Sequence, residues 1–363
     1  MTERPILEAS RPEPGQKPGA SVIVVGYNGK EYLAQCLSAL LDGQHRDYEV
    51  IVVDNASTDG SADHVEQTFP WVRVLRNQTN LGFGGAANLG ARQAMGQYLA
   101  FLNQDTIVEP GWLASLVAAL ERDPQAALAT SKILLLDRPD AINTCGNDVH
   151  CTGLTLCRGM GQPASACAQP AHVRAVSGAA FAISQDLFHR LGEFDDTFFM
   201  YMEDTDLSWR ARLAGYHCLY VPGSVVYHDY ALHFGLQKTF YQERNRYLIL
   251  LKHLRWPTLI ALLPALLLGE IVTWGFVLLR ERQRLANKLR AYGWIVSHWR
   301  HVLHSRRRVQ ALRRVRDRAL IRPLTHRLDY GQTGEGLVAR LAHFIFDPLF
   351  WLAHRLALAL VWW

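Results

Sequence analysis

Short apolar runs alternate with segments of helical periodicity from residue 21 onwards. The run SVIVV is followed, after a turn at 26–29, by Leu33, Leu37 and Leu40 at helical spacing. A second apolar run, EVIVVD, precedes the turn-forming sequence NASTDGS, and the segments VRVL, LGFGGAANLG and YLAFLNQD repeat the alternation. Continuously apolar strands that alternate with helices predict a doubly wound α/β fold, in which helices cover both faces of a mostly parallel sheet.

Polar residues follow three of the predicted strands at the point where each strand ends. They are Tyr27 and Asn28 after the first strand, Asp54 and Asn55 after the second, and Asn103, Gln104 and Asp105 after the strand at 99–102. Each could be a helix cap or a turn former. Ligands of such sheets bind outside the carboxyl ends of the strands, so three polar strand ends at one edge favour a binding site there.

A second polar cluster lies about a hundred residues later, in FDDTFFMYMEDTDLSWRARLAGY. Glu203, Asp204 and Asp206 begin a predicted helix, where acidic residues also interact favourably with the helix dipole. The same position keeps a carboxylate ionised and able to accept a proton from a hydroxyl group. His228 follows a short predicted strand in the segment VVYHDY. A lone histidine is more often structural than a ligand.

Charge is distributed unevenly along the 363 residues. The chain is 49% hydrophobic and 20% charged with a net charge of +5, yet residues 280–327 contain about fifteen Arg and Lys residues and two acids. Six cysteines show no CxxC pair, which favours reduced thiols over a zinc site or disulfides. We expect a flexible leader at 1–19, one α/β domain at 20–253 and a C-terminal region at 254–363.

The C-terminal region contains two long apolar segments. Residues 256–279 are long enough to span a bilayer, but Pro257, Pro264 and Glu270 interrupt them, and basic residues lie on both sides. We therefore expect this segment and the Trp-rich segment 341–363 to lie in the interface of the cytoplasmic membrane face, with the basic helices against anionic lipid. Core packing or an oligomer contact is the alternative. No nucleic-acid-reading motif accompanies the basic stretch, so we expect no nucleic-acid partner.

The chain resembles the family 2 glycosyltransferases, which have the GT-A fold, and among them the bacterial rhamnosyltransferase-like members. The resemblance is carried by SVIVVGYNGKEYLAQCLSALL, VIVVDNASTDGS, NQTNLGFGGAANLGA, YLAFLNQDT, VSGAAFAISQDLF, FDDTFFMYMEDTDLSWRARLAGY, VVYHDY and YQERNRYLILLKH, in the family's order. It implies a Rossmann-like mixed sheet flanked by helices, with a helical, membrane-associated segment after it.

The resemblance also implies roles for individual residues. Asn28 and Asp54, with Tyr27 and Asn55 beside them, would bind the nucleoside, and the stretch 82–88 would approach the nucleotide closely through Gly82, Gly84, Gly85 and Asn88. Asp105 and His228 would bind Mg²⁺ or Mn²⁺, and Asp204 would be the general base. Arg244 and Arg246 would close over the diphosphate, or else form a solvated helix face. The acceptor would lie near Ser177, Gly178, Glu203, Trp209 and the segment 194–202.

One departure concerns the metal motif. The family often has Asp-x-Asp where this chain has Asn103-Gln104-Asp105, and an amide is a weaker ligand for a hard cation than a carboxylate. Rhamnosyltransferase-like members often carry Asn there.

The function implied is an inverting transfer of a sugar from a nucleotide-sugar donor to a lipid-linked saccharide or surface polysaccharide. The donor implied is dTDP-L-rhamnose, with UDP-sugars as the alternative. A sugar nucleotidylyltransferase would need an Arg-containing, Gly-rich loop after the first strand, where this chain has GYNGKEY. An inactive membrane scaffold remains a third possibility, and the sequence leaves the oligomeric state open.

Overall fold

The computed structural model describes residues 18–41, 47–230, 237–280, 285–328 and 337–363. Side chains are described for all of these except 279–280 and 337–342. The predicted leader at 1–19 therefore lies almost entirely outside the described residues.

A ten-stranded mixed sheet forms the centre of the molecule, with the main strand order β10-β12-β6-β11-β4-β1-β2-β3. Its strands are β1 (Ala20–Gly26), β2 (Tyr48–Asp54), β3 (Arg73–Arg76), β4 (Tyr98–Asn103), β5 (Thr106–Val108), β6 (Ala126–Leu135), β7 (Ile142–Thr144), β10 (Ala171–Val173), β11 (Ala180–Ser184) and β12 (His217–His228). Strands β8 (Asn147–Val149) and β9 (Thr155–Cys157) form a separate antiparallel pair.

The two halves of the sheet differ in strand direction. Strands β3, β2, β1 and β4 are parallel, as the alternating pattern predicts. Strand β11 runs antiparallel to both β4 and β6, and β5 and β10 run antiparallel to β12. The sheet is thus parallel where the sequence alternates regularly and mixed where it does not.

Thirteen helices are seen in the described part of the chain. They are α1 (Lys30–Leu41), α2 (Ser61–Thr68), α3 (Gly82–Gln93), α4 (Trp112–Arg122), α5 (Gln185–Arg190), α6 (Glu203–Leu213), α7 (Lys238–His253), α8 (Trp256–Ala261), α9 (Leu263–Arg280), α10 (Leu285–Ser297), α11 (Trp299–Ala311), α12 (Asp317–Ile321) and α13 (Leu337–Leu360). A 3₁₀ turn covers Asp196–Phe198.

Alternate strand residues enter different hydrophobic cores. Val22 and Val24 of β1 pack with α1, α2 and α4 on one face of the sheet, whereas Ile23 packs with α3, α5 and α6 on the other. A third core lies between α6 and helices α7 to α13, and it includes Trp209 and Phe350. The predicted domain boundary falls where α7 ends, but the residues beyond it share this third core with α6.

A buried charge cluster joins α7 to α9 and α10. The Arg246 guanidinium lies 2.6 Å from carboxylate oxygens of both Glu243 and Glu270, and the Lys288 ammonium lies 2.8 Å from Glu243. Burial alone would raise the pKa of Glu270, but the Arg246 and Lys288 charges and the hydrogen bonds from Tyr247 and Tyr292 together lower that pKa to about 2. The acid that interrupts the apolar segment 256–279 therefore faces the protein interior.

Among the described residues, no helix combines the length and the apolar composition needed to cross a membrane. No disulfide joins any of the six cysteines, all of which are described.

We expect Arg246→Met to lower the free energy of unfolding by about 3 to 5 kcal/mol, because it leaves two buried carboxylates with one cation. Chemical denaturation of the full chain in detergent measures this. The control is Arg76→Met, an exposed arginine paired with Asp63 and Glu66, which should leave stability almost unchanged. An unchanged unfolding midpoint in Arg246→Met, together with lost nucleotide-sugar binding, would instead support the diphosphate role.

Candidate active site

The carboxyl ends of β1, β2 and β4 meet at one edge of the sheet. Gly26 is paired with Asp54 across β1 and β2, and Val25 is paired with Asn103 across β1 and β4. The polar strand ends predicted from the sequence are therefore neighbours, because parallel strands in register end together. This edge is the floor of the candidate site.

Asp54 presents an unused hydrogen-bond acceptor at this edge. Its Oδ2 accepts the Ser57 N–H at 3.3 Å, whereas its buried Oδ1 has no partner among the described residues. Asn28 holds the facing loop, because its Oδ1 accepts the Thr58 N–H at 2.8 Å and its own φ is 46°. A buried acceptor without a partner is rare in folded proteins and suits a ligand N–H group.

Gln104 joins two strand ends rather than facing open space. Its amide accepts the Tyr27 N–H at 2.9 Å and donates to the Tyr27 carbonyl at 3.2 Å. A Cβ atom at Gly29 would lie 2.5 Å from that amide, so this glycine leaves room for it. The Tyr27 side chain is 46% exposed beside these contacts.

Asp105 and His228 face each other across the β5–β12 pair. His228 Nε2 lies 3.3 Å from Asp105 Oδ1, but that oxygen has no hydrogen-bond partner among the described residues. His228 Nδ1 donates to the Asn143 amide oxygen at 3.0 Å, which orients the ring so that Nε2 faces Asp105. An imidazole nitrogen and a carboxylate oxygen that face each other in this way are ligand types for a divalent metal, so the two side chains fit one.

The start of α3 is occupied by the protein itself. Asn55 Oδ1 accepts the Leu81 N–H at 2.9 Å, and the Phe199 carbonyl accepts the Phe83 N–H at 2.7 Å. Gly82 has a φ of +71°, and a Cβ there would lie 2.1 Å from the Phe199 carbonyl oxygen. The buried residues Gly82, Gly84 and Asn88 of the stretch 82–88 thus pack against the protein itself.

Three residues of the stretch 82–88 also contact neighbouring parts of the protein. The Asn88 amide exchanges two hydrogen bonds of 2.9 Å with the Phe194 backbone, and a Cβ on Gly84 would lie 3.1 Å from the Phe194 Cβ. A Cβ on Gly85 would lie 3.0 Å from Leu81. These small residues let α3 approach the segment that precedes Asp204.

Asp204 is buried at the start of α6 with both carboxylate oxygens hydrogen-bonded. Oδ2 accepts the Gly178 N–H at 2.7 Å and the Asn147 amide at 3.4 Å, while Oδ1 accepts the Thr205 N–H at 2.6 Å. Burial raises the pKa of Asp204, and the hydrogen bonds from Gly178 and Thr205 oppose that rise.

Glu203 has the opposite environment. It is buried, its Oε2 has no hydrogen-bond partner among the described residues, and Asp204 is adjacent. Burial, together with the Asp204 charge, raises the pKa of Glu203 to about 8. Glu203 therefore favours its protonated form at neutral pH, whereas Asp204 is the carboxylate of the pair whose oxygens accept N–H groups.

Two buried cations fix α6 in place. Lys252 Nζ donates to Asp206 Oδ1 at 2.7 Å and to Asp195 Oδ2 at 2.6 Å, and Arg210 Nε donates to Asp206 Oδ2 at 2.8 Å. Burial alone would raise the pKa of Asp206, but the Lys252 and Arg210 charges outweigh it and hold that pKa below its usual range. Neither Lys252 nor Arg210 was expected from the sequence.

The loop before α6 is strained and is held by α7. Phe199, Tyr201 and Met202 have φ values of 61°, 66° and 70°, a region that costs a non-glycine residue of order 1 kcal/mol or more. The Asn245 amide donates to the carbonyl oxygens of Phe198, Met200 and Tyr201 at 2.8 to 3.1 Å. Asn245 lies between the two arginines of YQERNRY, and an amide beside such cations gives no signal in the sequence.

The two arginines lie away from the strand ends. Arg244 donates to the Thr197 and Phe198 carbonyl oxygens at 2.6 and 2.9 Å, and its guanidinium lies 4.8 Å from the centre of the Trp294 ring. Arg246 belongs to the buried charge cluster. In this conformation both arginines support the loop and the helices, and neither is open to a diphosphate.

The residues expected near the acceptor separate into two groups. Ser177 and Gly178 lie beside Asp204, and the Ser177 hydroxyl accepts the Ala179 N–H at 3.4 Å. Trp209 is fully buried in the third core, with its ring 5.6 Å from that of His253. It packs the helix and does not reach an open surface.

Comparison with known proteins decides the family. A model described as glycosyl transferase family group 2 matches residues 98–363, and one described as glycosyl transferase family 2 matches residues 21–133. The chain belongs to the family 2 glycosyltransferases. The transferase is 28% identical over 234 residues to the N-acetylglucosaminyl-diphospho-decaprenol L-rhamnosyltransferase of Mycobacterium tuberculosis, covering 58% of this chain and 76% of that protein.

Other similarities of the transferase are shorter or more distant. It is 31% identical over 109 residues to a Haemophilus influenzae protein named as an uncharacterized glycosyltransferase, and this match spans 34% of that protein's length. The structure of S. aureus TarS 1–349 in complex with UDP-GlcNAc aligns with a TM-score of 0.54 at 17% identity, covering 93% of this chain and 90% of that one. GalNAc-T7 with UDP, GalNAc and Mn²⁺ aligns with a TM-score of 0.50 at 23% identity, covering 58% and 43%. The mixed sheet with flanking helices is therefore that of GT-A glycosyltransferases.

We expect Glu203→Gln to stabilise the transferase at pH 8, by on the order of a few kcal/mol. The pKa of Glu203 is about 8 in the folded protein and lies above the ordinary value of 4.5. Between pH 4.5 and pH 8 the unfolded chain loses this proton more readily than the folded protein, so the free energy of unfolding falls as the pH rises. Glutamine does not ionise, so the variant does not show this fall. Unfolding at a series of pH values measures it, and the two proteins should converge near pH 4.

The matched control is Glu193→Gln. Burial would raise the Glu193 pKa, but Arg92 and His189 lower it below its usual range, so this variant should lose stability at pH 8. An identical pH dependence in Glu203→Gln and wild type would contradict the protonated state of Glu203.

Proposed function

We propose that this protein transfers a sugar from a nucleotide-sugar donor to an acceptor hydroxyl with inversion of configuration. One hydrogen-bonded path supports the proposal. Asp204 accepts the Gly178 N–H, the next residue Ala179 accepts the Asn103 N–H at 3.0 Å, and Asp105 follows two residues after Asn103. Hydrogen-bonded backbone therefore connects Asp204 to the segment that carries Asp105.

Each residue then has a separable task. Asp54 Oδ1 accepts a hydrogen bond from the nucleobase, with Asn28 and Asn55 holding the loops beside it. Asp105 and His228 Nε2 would hold a divalent cation, Mg²⁺ or Mn²⁺, which when bound would stabilise charge on the leaving diphosphate. Asn103 stands where the family often has a second carboxylate, so Asp105 and His228 are the two side chains that would hold the cation.

Asp204 accepts the proton of the acceptor hydroxyl as that oxygen attacks the anomeric carbon. The attack and the departure of the nucleoside diphosphate occur on opposite faces of the sugar. One base and no protein nucleophile give a single displacement, and hence inversion.

The sugar we propose is L-rhamnose from dTDP-L-rhamnose, and the acceptor is a lipid-linked saccharide or a growing surface polysaccharide. The support is the similarity to the mycobacterial L-rhamnosyltransferase, which the chain matches over 76% of that protein's length. That protein is named for the acceptor N-acetylglucosaminyl-diphospho-decaprenol, and the acceptor here is inferred by analogy with it.

The test is nucleoside diphosphate release from a panel of dTDP-, UDP- and GDP-sugars by the full chain in detergent, with and without Mn²⁺ or Mg²⁺. We expect metal-dependent release from dTDP-L-rhamnose, abolished in Asp105→Ala. Asp204→Asn should still bind the donor but turn over about 10²- to 10⁴-fold more slowly. The exposed Asp63→Ala is the control and should be unaffected.

Release from a UDP-sugar alone would correct the donor and leave the class intact. Near-normal turnover of Asp204→Asn, or full activity after exhaustive chelation, would contradict the mechanism.

We also propose that helices α8, α9 and α13 dock on an anionic bilayer at the cytoplasmic face. These helices pack against one another, and each exposes apolar side chains along one stripe. The stripes are Ile260, Leu263, Leu267 and Ile271 on α8 and α9, and Ile345, Leu349, Leu352, Leu356 and Leu360 on α13. Exposed apolar surface of this extent is typical of an interaction site.

Charge favours lipid as the occupant of this apolar face. The neighbouring helices α10 to α12 and the residues after them expose Arg300, Arg307, Arg308, Arg314, Arg316, Arg322 and Arg327. Each basic residue near an anionic membrane surface adds about 1 kcal/mol of attraction.

Flotation with anionic and neutral vesicles tests the docking. We expect the full chain to float with anionic vesicles, and Leu352→Glu combined with Leu356→Glu to reduce binding at least about tenfold, because two apolar side chains become charged. Met95→Glu changes an equally exposed apolar residue in the α/β domain and should bind like the wild type. Equal flotation of the double variant would contradict the proposal.

A further inference from the structure

Three side chains that commonly bind transition metals meet at the far end of the sheet from the candidate active site. Asp123 follows the last residue of α4, His172 lies on β10, and His217 is the first residue of β12. His228 is the last residue of β12, so the rise along the strand separates the two places by roughly 30 Å.

Strand register places the two imidazoles together. His172 is paired with Leu219, two residues after His217, so both histidines project from the same face of the β10–β12 pair. Their rings stack with centroids 4.1 Å apart and an interplanar angle of 14°. His217 Nε2 lies 2.7 Å from Asp123 Oδ2.

The three side chains are close enough to bind one ion if the two stacked rings rotate, because a metal lies in the plane of each imidazole that binds it. One ligand atom from each of Asp123, His172 and His217 lies within 4.8 Å of the other two. The second Asp123 oxygen accepts the Gln125 N–H at 3.0 Å, which orients the carboxylate as outer contacts of metal ligands do. Asp123 also follows the C-terminal end of α4, where the helix dipole favours positive charge.

The donor set selects the class of ion. Two imidazole nitrogens and one carboxylate oxygen suit Zn²⁺ and similar borderline transition metals, and water completes four coordination because the cluster is partly exposed. The hydrogen bond between His217 and Asp123 involves only two of the three groups, whereas a shared ion would use all three.

We propose that Asp123, His172 and His217 bind one zinc-class divalent ion, at a site separate from the Mg²⁺ or Mn²⁺ site at Asp105 and His228. The ion would join three elements, the end of α4, the start of β12 and the edge strand β10. Five residues after β10 ends, Gly178 donates its N–H to Asp204, so the ion would also anchor the strand that leads to the catalytic carboxylate.

The experiment is titration calorimetry of the metal-free full chain in detergent with Zn²⁺. We expect the wild type to bind one more equivalent of Zn²⁺ than His172→Ala or His217→Ala, or to bind it at least about tenfold more tightly. Zn²⁺ should raise the melting temperature of the wild type and leave that of His172→Ala unchanged. The melting temperature of His172→Ala without metal checks that this variant is folded. His172 is exposed, so we expect it to be.

Two controls separate this site from other ones. His189→Ala removes an imidazole that pairs with Glu193 at 3.0 Å and that stacks on no second histidine in the described part of the chain, and it should keep the Zn²⁺ equivalent. Asp105→Ala should also keep it while losing metal-dependent donor chemistry. Equal Zn²⁺ binding by His172→Ala and wild type, or no Zn²⁺ binding by the wild type, would overturn the proposal.

Discussion

The neutralisation of three buried carboxylates at the start of α6 is the constraint on which the rest of the structure depends. Asp206 is balanced by Lys252 and Arg210, Asp204 by backbone and amide N–H groups, and Glu203 by retention of its proton. A buried charge without such partners would cost several kcal/mol. The helix therefore fits only where α7 and the segment 176–178 approach it.

Side chains from the C-terminal part of the chain thus hold α6 and the loop before it in place. Lys252 and Asn245 come from α7, and Ser305 of α11 donates to Asp195 at 3.1 Å. The buried cluster around Glu270 then fixes α9 and α10 to the same helix. The apolar surface proposed for the membrane is in this way rigidly connected to the active-site loop, since the connecting groups are buried ion pairs and not a flexible linker.

The sequence predicts the regular part of this fold and misses what depends on distant partners. Strand periodicity and strand ends correctly place Asp54 and Asp105 at one edge, because parallel register follows from local pattern. Asn143 orients His228 from 85 residues away, in a segment without periodicity, and no residue type reveals such a contact. The same limit affects Arg246: a cation in a basic motif suggests phosphate, whereas its partners are Glu243 in its own helix and Glu270 on another helix.

The hydrogen bond between Phe83 and Phe199 links the motions of two segments. It joins the start of α3 to the strained loop that precedes Asp204, and Gly82 permits the close approach. A shift of either segment would strain or break this bond, so the two segments are mechanically coupled. On the proposed function, a displacement of α3 when a donor binds would therefore be transmitted to the loop before Asp204.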